Sequence, residues 1–358
     1  MGRALERLWY PGEAPGGQRL LRAVTTPLSW AYRAGLAARP GPRPGKAGRP
    51  VIAVGNLTAG GSGKTPLVIE LVASLLRKGV RVAVLSRGYG RSGRGIRVVN
   101  PPAGDWGTPD EVGDEPVLIA RRCPGAVVVV GADRVAAGRY AVQQFRPDVL
   151  VCDDAFQHRR LYRDLDVLAV HARLGFGNGR LLPRGPLREP VEQVRRAGLV
   201  VFTHADPADT VAGLRRRHWL PEIIPAAHCM FSPNGWVQGP GLEPLDLPRG
   251  TAVLAACGVA HPEVFFESCR QAGLELLQTR SYGDHQTWTR RTVARLRAEA
   301  GRLGAKAVVV TEKDLVRMPQ HGEGPGVVAL RLEARWPDDA GLAVVEMAIA
   351  ELAMHPGG

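Results

Sequence analysis

Residues 58–65 read Thr-Ala-Gly-Gly-Ser-Gly-Lys-Thr and follow the apolar run 51–55, Val-Ile-Ala-Val-Gly. A P-loop has the pattern G-x-x-x-x-G-K-[ST]. Gly63, Lys64 and Thr65 match its end, while Thr58 stands at the first glycine position. Residue types dictate the chemistry. Gly60, Gly61 and Gly63 let the backbone N–H groups of the stretch that includes Thr58, Ala59 and Ser62 turn inward around phosphate oxygens. A helix starting at Lys64 adds the partial positive charge of its N-terminus. Lys64 can reach the β- and γ-phosphates, and the Thr65 hydroxyl can ligate Mg²⁺. Pro66 is tolerable in a first helical turn.

Such a loop needs a metal-holding carboxylate at the end of a neighbouring strand. Val-Leu-Val-Cys at 149–152 is followed by Asp153 and Asp154, and then by Gln157 and His158. Other polar clusters also follow apolar runs. Arg87 lies in the stretch 86–91, Arg134 follows the run 126–131, and Asp114 and Glu115 open an expected helix. Asp114 there is either an N-cap or a functional acid; Glu115 is a further candidate metal ligand. Arg184 and Arg188 sit in a Pro/Gly-constrained loop at 181–190, a setting suited to phosphate recognition. Asp284 and His285 fall in a loop at 281–288. Val-Thr-Glu-Lys-Asp at 310–314 does not make the guanine-reading N/T-K-x-D motif, because Lys313 and Asp314 are adjacent; this argues against a GTPase.

Apolar runs at 51–55, 81–86, 126–131, 148–153, 166–171 and 199–203 alternate with helix-compatible segments at 64–78, 113–122, 133–145 and 207–217. Continuous apolar strands alternating with helices predict a mostly parallel α/β sheet covered on both faces. Ligands in such sheets bind at the carboxyl ends of the strands, where the polar clusters lie. A second, smaller α/β unit starts near 225, with strands at 251–258, 274–281 and 306–312 and helices near 262–272 and 289–303. The segments 226–231 and 326–332, at its two ends, are expected to pair as a ribbon. The expected organisation is an N-terminal membrane-associating segment at 1–45, a P-loop domain at 46–224, a second α/β domain at 225–332, and a C-terminal helical segment at 333–358 that packs back on the first domain.

Apolar residues make up 45% of the 358, enough for two cores. No run of about 18 apolar residues exists to span a bilayer, and no secretory h-region follows Met1. The five cysteines form no CxxC pair, so a reduced cytosolic protein without disulfides or zinc is expected. The formal charge of +13 calls for an anionic partner: nucleic acid, an acidic membrane or a phosphorylated substrate. No helix-turn-helix or RRM pattern supports nucleic acid. The first fifty residues carry nine Arg or Lys against Glu6 and Glu13. Within them Leu21, Val24, Leu28 and Ala31 fall near one helical face, flanked by Trp30 and Tyr32, with Pro27 expected to kink or interrupt the helix. A basic amphipathic helix of this kind suits the surface of an anionic membrane.

Taken in order, the stretches beginning at Val54, Ser86, Gly113, Asp153, Leu181, Asp284 and Thr311 resemble the tetraacyldisaccharide 4'-kinase family, the lipid A 4'-kinases of Gram-negative bacteria. The likeness runs from about residue 50 to 317, and Thr58 is ordinary for that family. Ala155 departs from it, standing where the family has glycine. The resemblance implies a P-loop kinase of two α/β/α domains joined by a two-stranded ribbon. It implies ATP and Mg²⁺ as cofactors, a lipid A disaccharide precursor as acceptor, and a peripheral, monomeric enzyme on the cytoplasmic face of the inner membrane. It also implies that Asp114 is the catalytic base, supported by His285 from the second domain on domain closure. Two other classes share the phosphate loop: a regulatory or chaperone-type NTPase, and a nucleic-acid-binding ATPase.

Overall fold

In the computed structural model, residues 8–10, 19–38, 41, 43–283, 286–319, 323–337 and 339–354 are described. In chain order they form helix α1 (Arg19–Ala37), strand β1 (Val51–Gly55), helix α2 (Lys64–Arg77), β2 (Val82–Ser86), β3 (Arg97–Val99), α3 (Pro109–Val112), α4 (Asp114–Arg122), β4 (Val127–Val130) and α5 (Arg134–Phe145). Then come β5 (Val149–Cys152), β6 (Leu165–His171), β7 (Leu199–Thr203), α6 (Val211–His218), β8 (Ala226–His228), β9 (Met230–Gln238) and β10 (Glu243–Leu245). The rest is β11 (Ala252–Cys257), α7 (Pro262–Gln271), β12 (Glu275–Ser281), α8 (Arg290–Arg302), β13 (Ala307–Thr311), α9 (Glu312–Leu315), β14 (Gly326–Arg335) and α10 (Asp339–Met354).

These elements gather into two compact units. The first comprises 1–87, 133–230 and 335–358; the second comprises 88–132 and 231–334. The sequence places 88–132 within the P-loop domain, but this excursion clusters with the second unit. Pattern alone misses this, because α4 and β4 look like one more helix and strand of an alternating series.

The first unit holds a parallel array in the order β2-β5-β1-β6-β7-β8. Every residue of β1 is buried. This is what helices on both faces require, and it explains the continuous apolar runs. One core cluster joins Leu57, Phe156, Leu168, Phe202 and Leu214, with Tyr32 and Leu36 of α1 packed against it. Helix α10 belongs to this unit, where Lys78 pairs with Glu346 at 2.9 Å. Helix α1 is continuous through Pro27.

The second unit carries a six-stranded sheet in the order β10-β9-β14-β13-β11-β12. Its four strands β14, β13, β11 and β12 are parallel, and β10 runs antiparallel to β9. Strands β3 and β4 pair antiparallel in the same unit. The neighbours β9 and β14 form the two-stranded ribbon, and the chain changes unit at its ends as well as at 87–88 and 132–133. The segment 226–231 contributes to it only from Met230, because 226–228 is β8 and pairs with β7 instead.

The five cysteines are buried free thiols. Burial pushes Cys152 up to about 11 and Cys229 to about 12, so they stay protonated and unreactive at neutral pH.

The close approach at the end of β1 sets a steric demand. A Cβ on Gly55 would lie 2.6 Å from the Phe156 Cβ and 2.7 Å from its backbone nitrogen. Gly55→Ala therefore forces apart the phosphate-loop strand and the segment after β5. We expect a loss of roughly 1–3 kcal/mol, the scale of overpacking, read as a lower denaturation midpoint, with weaker ATP binding alongside it.

Candidate active site

Strand β1 ends at Gly55, and Asn56 follows, fully buried. Its Nδ2 donates to the Thr58 carbonyl at 2.7 Å and reaches the Thr58 hydroxyl at 3.2 Å. Further along, the Ala59 N–H donates to the Pro186 carbonyl at 2.7 Å, and the Thr203 hydroxyl donates to the Ser62 carbonyl at 2.8 Å. The loop is thus fixed from three sides. Gly60 and Gly63 adopt φ of 105° and 69°, backbone that favours glycine. Gly63 caps α2 and Gly61 lies between them. The Ser62 hydroxyl is buried and makes no hydrogen bond within the protein. An inward-facing polar group beside a helix N-terminus fits a phosphate ligand.

Lys64 opens α2. Its ammonium donates to Asn56 Oδ1 at 3.1 Å and lies 3.6 Å from Asp154 Oδ1. Asp154 also accepts both contacts of Arg188 Nη1, at 3.1 and 3.0 Å. Burial raises the Asp154 carboxyl, but Lys64 and Arg188 outweigh it and hold the group below the usual carboxylate range. Asp153, at the end of β5, is buried, and its N–H donates to the Leu85 carbonyl. Thr65 is half-buried in the first turn of α2. Among the described residues, no three His, Cys, Asp or Glu side chains group into a protein-only metal cage. Mg²⁺ in nucleotide sites is held by one or two protein oxygens plus phosphate oxygens. Thr65, Asp153 and Asp154 carry oxygens of the kind such a site uses.

The alanine at 155, where the family has glycine, is explained by its neighbour. Asp154 takes the positive φ, 48°, and Ala155 does not. A methyl is therefore accommodated at 155.

Of the candidate acceptor-binding residues, Gln157 donates to the Asn56 carbonyl at 2.8 Å. Arg134 is buried at the start of α5, next to His158. Burial, helped by Arg134 and Arg163, pushes the His158 imidazole down to about 4, so it is neutral at physiological pH. Its Nε2 is buried without a protein hydrogen bond. Arg87 is exposed at the end of the first unit's leading segment. Arg184 does something else: its guanidinium donates to the Arg22 carbonyl and the Thr26 hydroxyl, fastening α1 to the 181–188 loop.

Asp114 and Glu115 belong to the second unit. Gly113, at φ 96°, caps α4 where a Cβ would sit 3.1 Å from the Gly88 Cα. Asp114 is thus the first helical residue rather than the N-cap. Its carboxylate is buried, 3.5 Å from Arg317 and 3.9 Å from Lys313. Glu115 pairs with Lys313 at 3.2 Å. Asp284 and His285 lie outside the described residues.

Two anchors are not apparent from motif reading. Asn56 is one. The other is Asp314, fully buried, which accepts from the Gly258 N–H, the Trp288 indole, the Thr311 hydroxyl and Arg317, all within 2.9 Å. It fixes Trp288 and the end of β11 at Gly258 and, through Arg317, the carboxylate of Asp114. Asn56 directly follows a buried strand, and Asp314 lies in the short helix after one.

The sequence model of the tetraacyldisaccharide-1-P 4'-kinase family matches residues 21–348. The chain belongs to this family. A tetraacyldisaccharide 4'-kinase of Anaeromyxobacter sp. strain Fw109-5 is 42% identical over 341 residues, covering 92% of both chains. One from Geobacter sulfurreducens is 42% identical over 278 residues, covering 76% of each. The crystal structure of LpxK from Aquifex aeolicus in complex with ATP matches with a TM-score of 0.73 and 29% identity, over 93% of this chain and 99% of that one. The chain is therefore an ATP-dependent lipid kinase of lipid A synthesis. It transfers the γ-phosphoryl group to the 4'-hydroxyl of tetraacyldisaccharide 1-phosphate, giving lipid IVA. The regulatory-NTPase and nucleic-acid readings fall away.

His158 has a consequence for pH. Its folded value near 4 lies below the ordinary value of 6.5, so the unfolded chain binds this proton more readily. Stability from this group is complete above pH 6.5 and is lost as pH falls towards 4. The loss is on the order of 1–2 kcal/mol after solvent screening. His158→Gln should reduce the drop in melting temperature between pH 7 and pH 5 (about 2 units of titration range). An unchanged drop would show that His158 is solvated.

Proposed function

We propose that this kinase works as a peripheral monomer on the cytoplasmic face of the inner membrane, and that Asp114 accepts the proton of the lipid's 4'-hydroxyl. No described helix is long and apolar enough to cross a membrane. The observation that carries the membrane reading is the orientation of α1. Thr25 and Ser29 face inward, Ser29 donating to the Leu181 carbonyl, and the Tyr32 hydroxyl donates to the Arg188 carbonyl. Val24, Leu28, Ala31 and Trp30, the last 69% exposed, face outward. Arg22 and Arg33 are exposed on the same helix. An apolar face turned to water beside arginines suits an anionic lipid interface. It also suits an acceptor whose acyl chains stay in a bilayer.

In the transfer step, the backbone of Thr58–Thr65 cradles the phosphates, and Lys64 offsets charge on the β- and γ-oxygens. Thr65 with Asp153 or Asp154 would hold Mg²⁺, which supplies charge neutralisation when bound. Arg134, Gln157, His158 and Arg188 are assigned to the acceptor's head group, with the exposed Arg87 as a further cation. Asp114 takes the hydroxyl proton as the phosphoryl group moves, and His285 orients it. Lys313 and Arg317 fix the carboxylate's position.

Two experiments test these roles. For the proton-accepting unit, Asp114→Asn and His285→Ala should each lower kcat with ATP affinity nearly unchanged. The double variant should be little worse than Asp114→Asn alone, since residues acting as a unit are non-additive. Fully multiplicative losses would separate the two residues. For membrane docking, Val24→Glu with Leu28→Glu alters only exposed positions. Binding to phosphatidylglycerol vesicles should fall by at least about tenfold, two buried apolar side chains being lost, while the melting temperature holds. Vesicle binding equal to wild type would remove α1 as the anchor.

A further inference from the structure

Two large apolar side chains stand almost fully in water at the turn after α6. Trp219 is 92% exposed and Ile223 is 90% exposed. The intervening chain is not loose. Leu220 and Ile224, one residue after each, are buried in the core cluster that α1 covers with Tyr32 and Leu36. Arg215 donates to the Pro221 and Ile224 carbonyls, closing the turn from inside. Trp219 holds φ 56°, and its N–H bonds back to the Arg215 and Arg216 carbonyls. The turn is therefore built to keep its outward side chains outward. Nothing in the core needs this, because Leu220 and Ile224 already fill it.

We infer that Trp219 and Ile223 form a second bilayer contact beside α1, dipping into the interface of an anionic lipid surface. This rests on the membrane reading proposed above. Three observations name the occupant. The acceptor is a lipid with four acyl chains, so the enzyme must meet a lipid surface. Charges exposed around the turn are Arg173, Arg216 and Arg217 against Glu222, with Arg217 paired to Asp209. The balance is positive, as anionic lipid requires. The turn is also continuous with α1 through one excursion of the chain. His218, next to Trp219, bonds the Ala172 carbonyl at 2.7 Å and packs on Phe176. Nine residues later the same excursion holds α1 at the Leu181 carbonyl. Tryptophan is the residue whose apolar ring and polar N–H best match the headgroup level.

The test uses the full chain and vesicles of phosphatidylethanolamine doped with phosphatidylglycerol. Trp219→Ser with Ile223→Ser should weaken vesicle binding by about tenfold or more, given two large apolar groups removed from the interface. Melting temperature and ATP affinity should stay at wild-type values, since both side chains are solvated in the fold. KM for vesicle-presented lipid should rise, while KM for detergent-dispersed lipid should not. The conservative Trp219→Phe should bind vesicles well and, by difference from wild type, isolate a blue shift of Trp219 emission on binding. Unchanged vesicle affinity in the serine variant, with binding lost in Val24→Glu/Leu28→Glu, overturns the inference and leaves α1 as the sole contact. A wild-type chain that ignores these vesicles overturns both the inference and the membrane reading. Lipid-free self-association that the serine variant abolishes, with vesicle binding intact, would make this turn a face between copies and overturn the bilayer assignment.

Discussion

The phosphate loop is eight residues of backbone that must keep their N–H groups converging on a charge. Three glycines allow that conformation but cannot select it, because glycine loses more conformational freedom on folding than any other residue. Selection comes from outside the loop. Asn56 holds Thr58 from below, Pro186 holds Ala59 from the 181–188 excursion, and Thr203 holds Ser62 from the end of β7. Each anchor sits at the carboxyl end of a strand in the parallel array, or on a loop leaving one. Removing any one leaves a buried backbone group unpaired as well as a loosened loop, a cost of roughly 1–3 kcal/mol. The sheet order β5-β1-β6-β7 is what brings these anchors together.

The second unit solves the same problem with one carboxylate. Asp314 is fully buried and accepts from four groups on three segments, around Gly258, Trp288 and its own stretch 311–317. A buried charge is tolerable only when its hydrogen-bonding capacity is met. Here the arrangement that meets it also joins the end of β11, Trp288 and the start of α9. Arg317 then passes the constraint to Asp114. The catalytic-base candidate is held by a guanidinium that is itself held, which limits its freedom more than a lone contact with Lys313 would.

Much of this was legible in the sequence, and the exceptions have physical reasons. Strands buried on both faces read clearly: β1, β7 and β11 fall within a residue of the apolar runs that name them. Strands β3 and β10 did not, because they are short and partly exposed and carry no periodicity. The placement of 88–132 with the second unit is a long-range packing outcome, invisible to local pattern. In the site, the candidate phosphate-binding residues are announced by glycine and lysine at fixed spacing. Residues that hold those residues are announced only by being polar beside a buried strand, which describes many caps too. Arg184 shows the limit: its loop reads as anion-binding, yet its guanidinium fastens α1. The apolar stripe of α1 was readable, but its direction was not. Thr25 and Ser29 point inward because their hydroxyls find carbonyl partners at Leu21 and Leu181, which frees the greasier face for the outside.

The surplus of arginine fits this division of labour. Many guanidiniums are used inside the fold as planar forks that tie chain segments together: Arg196 to Glu189 and the Phe156 carbonyl, Arg122 to Glu312 and the Leu332 carbonyl, Arg188 to Asp154. Each such pair consumes an acid as well as a base and leaves the net charge unchanged. With 47 Lys and Arg against 34 acids, internal pairing therefore removes negative charge from the surface as fast as positive, and the same excess of 13 is carried by fewer exposed charges. The surface that remains is more basic in proportion than the whole sequence. For an enzyme whose acceptor carries a phosphate, that excess favours encounter with the anionic head group. The interior ion pairs and the basic exterior are thus two consequences of one composition.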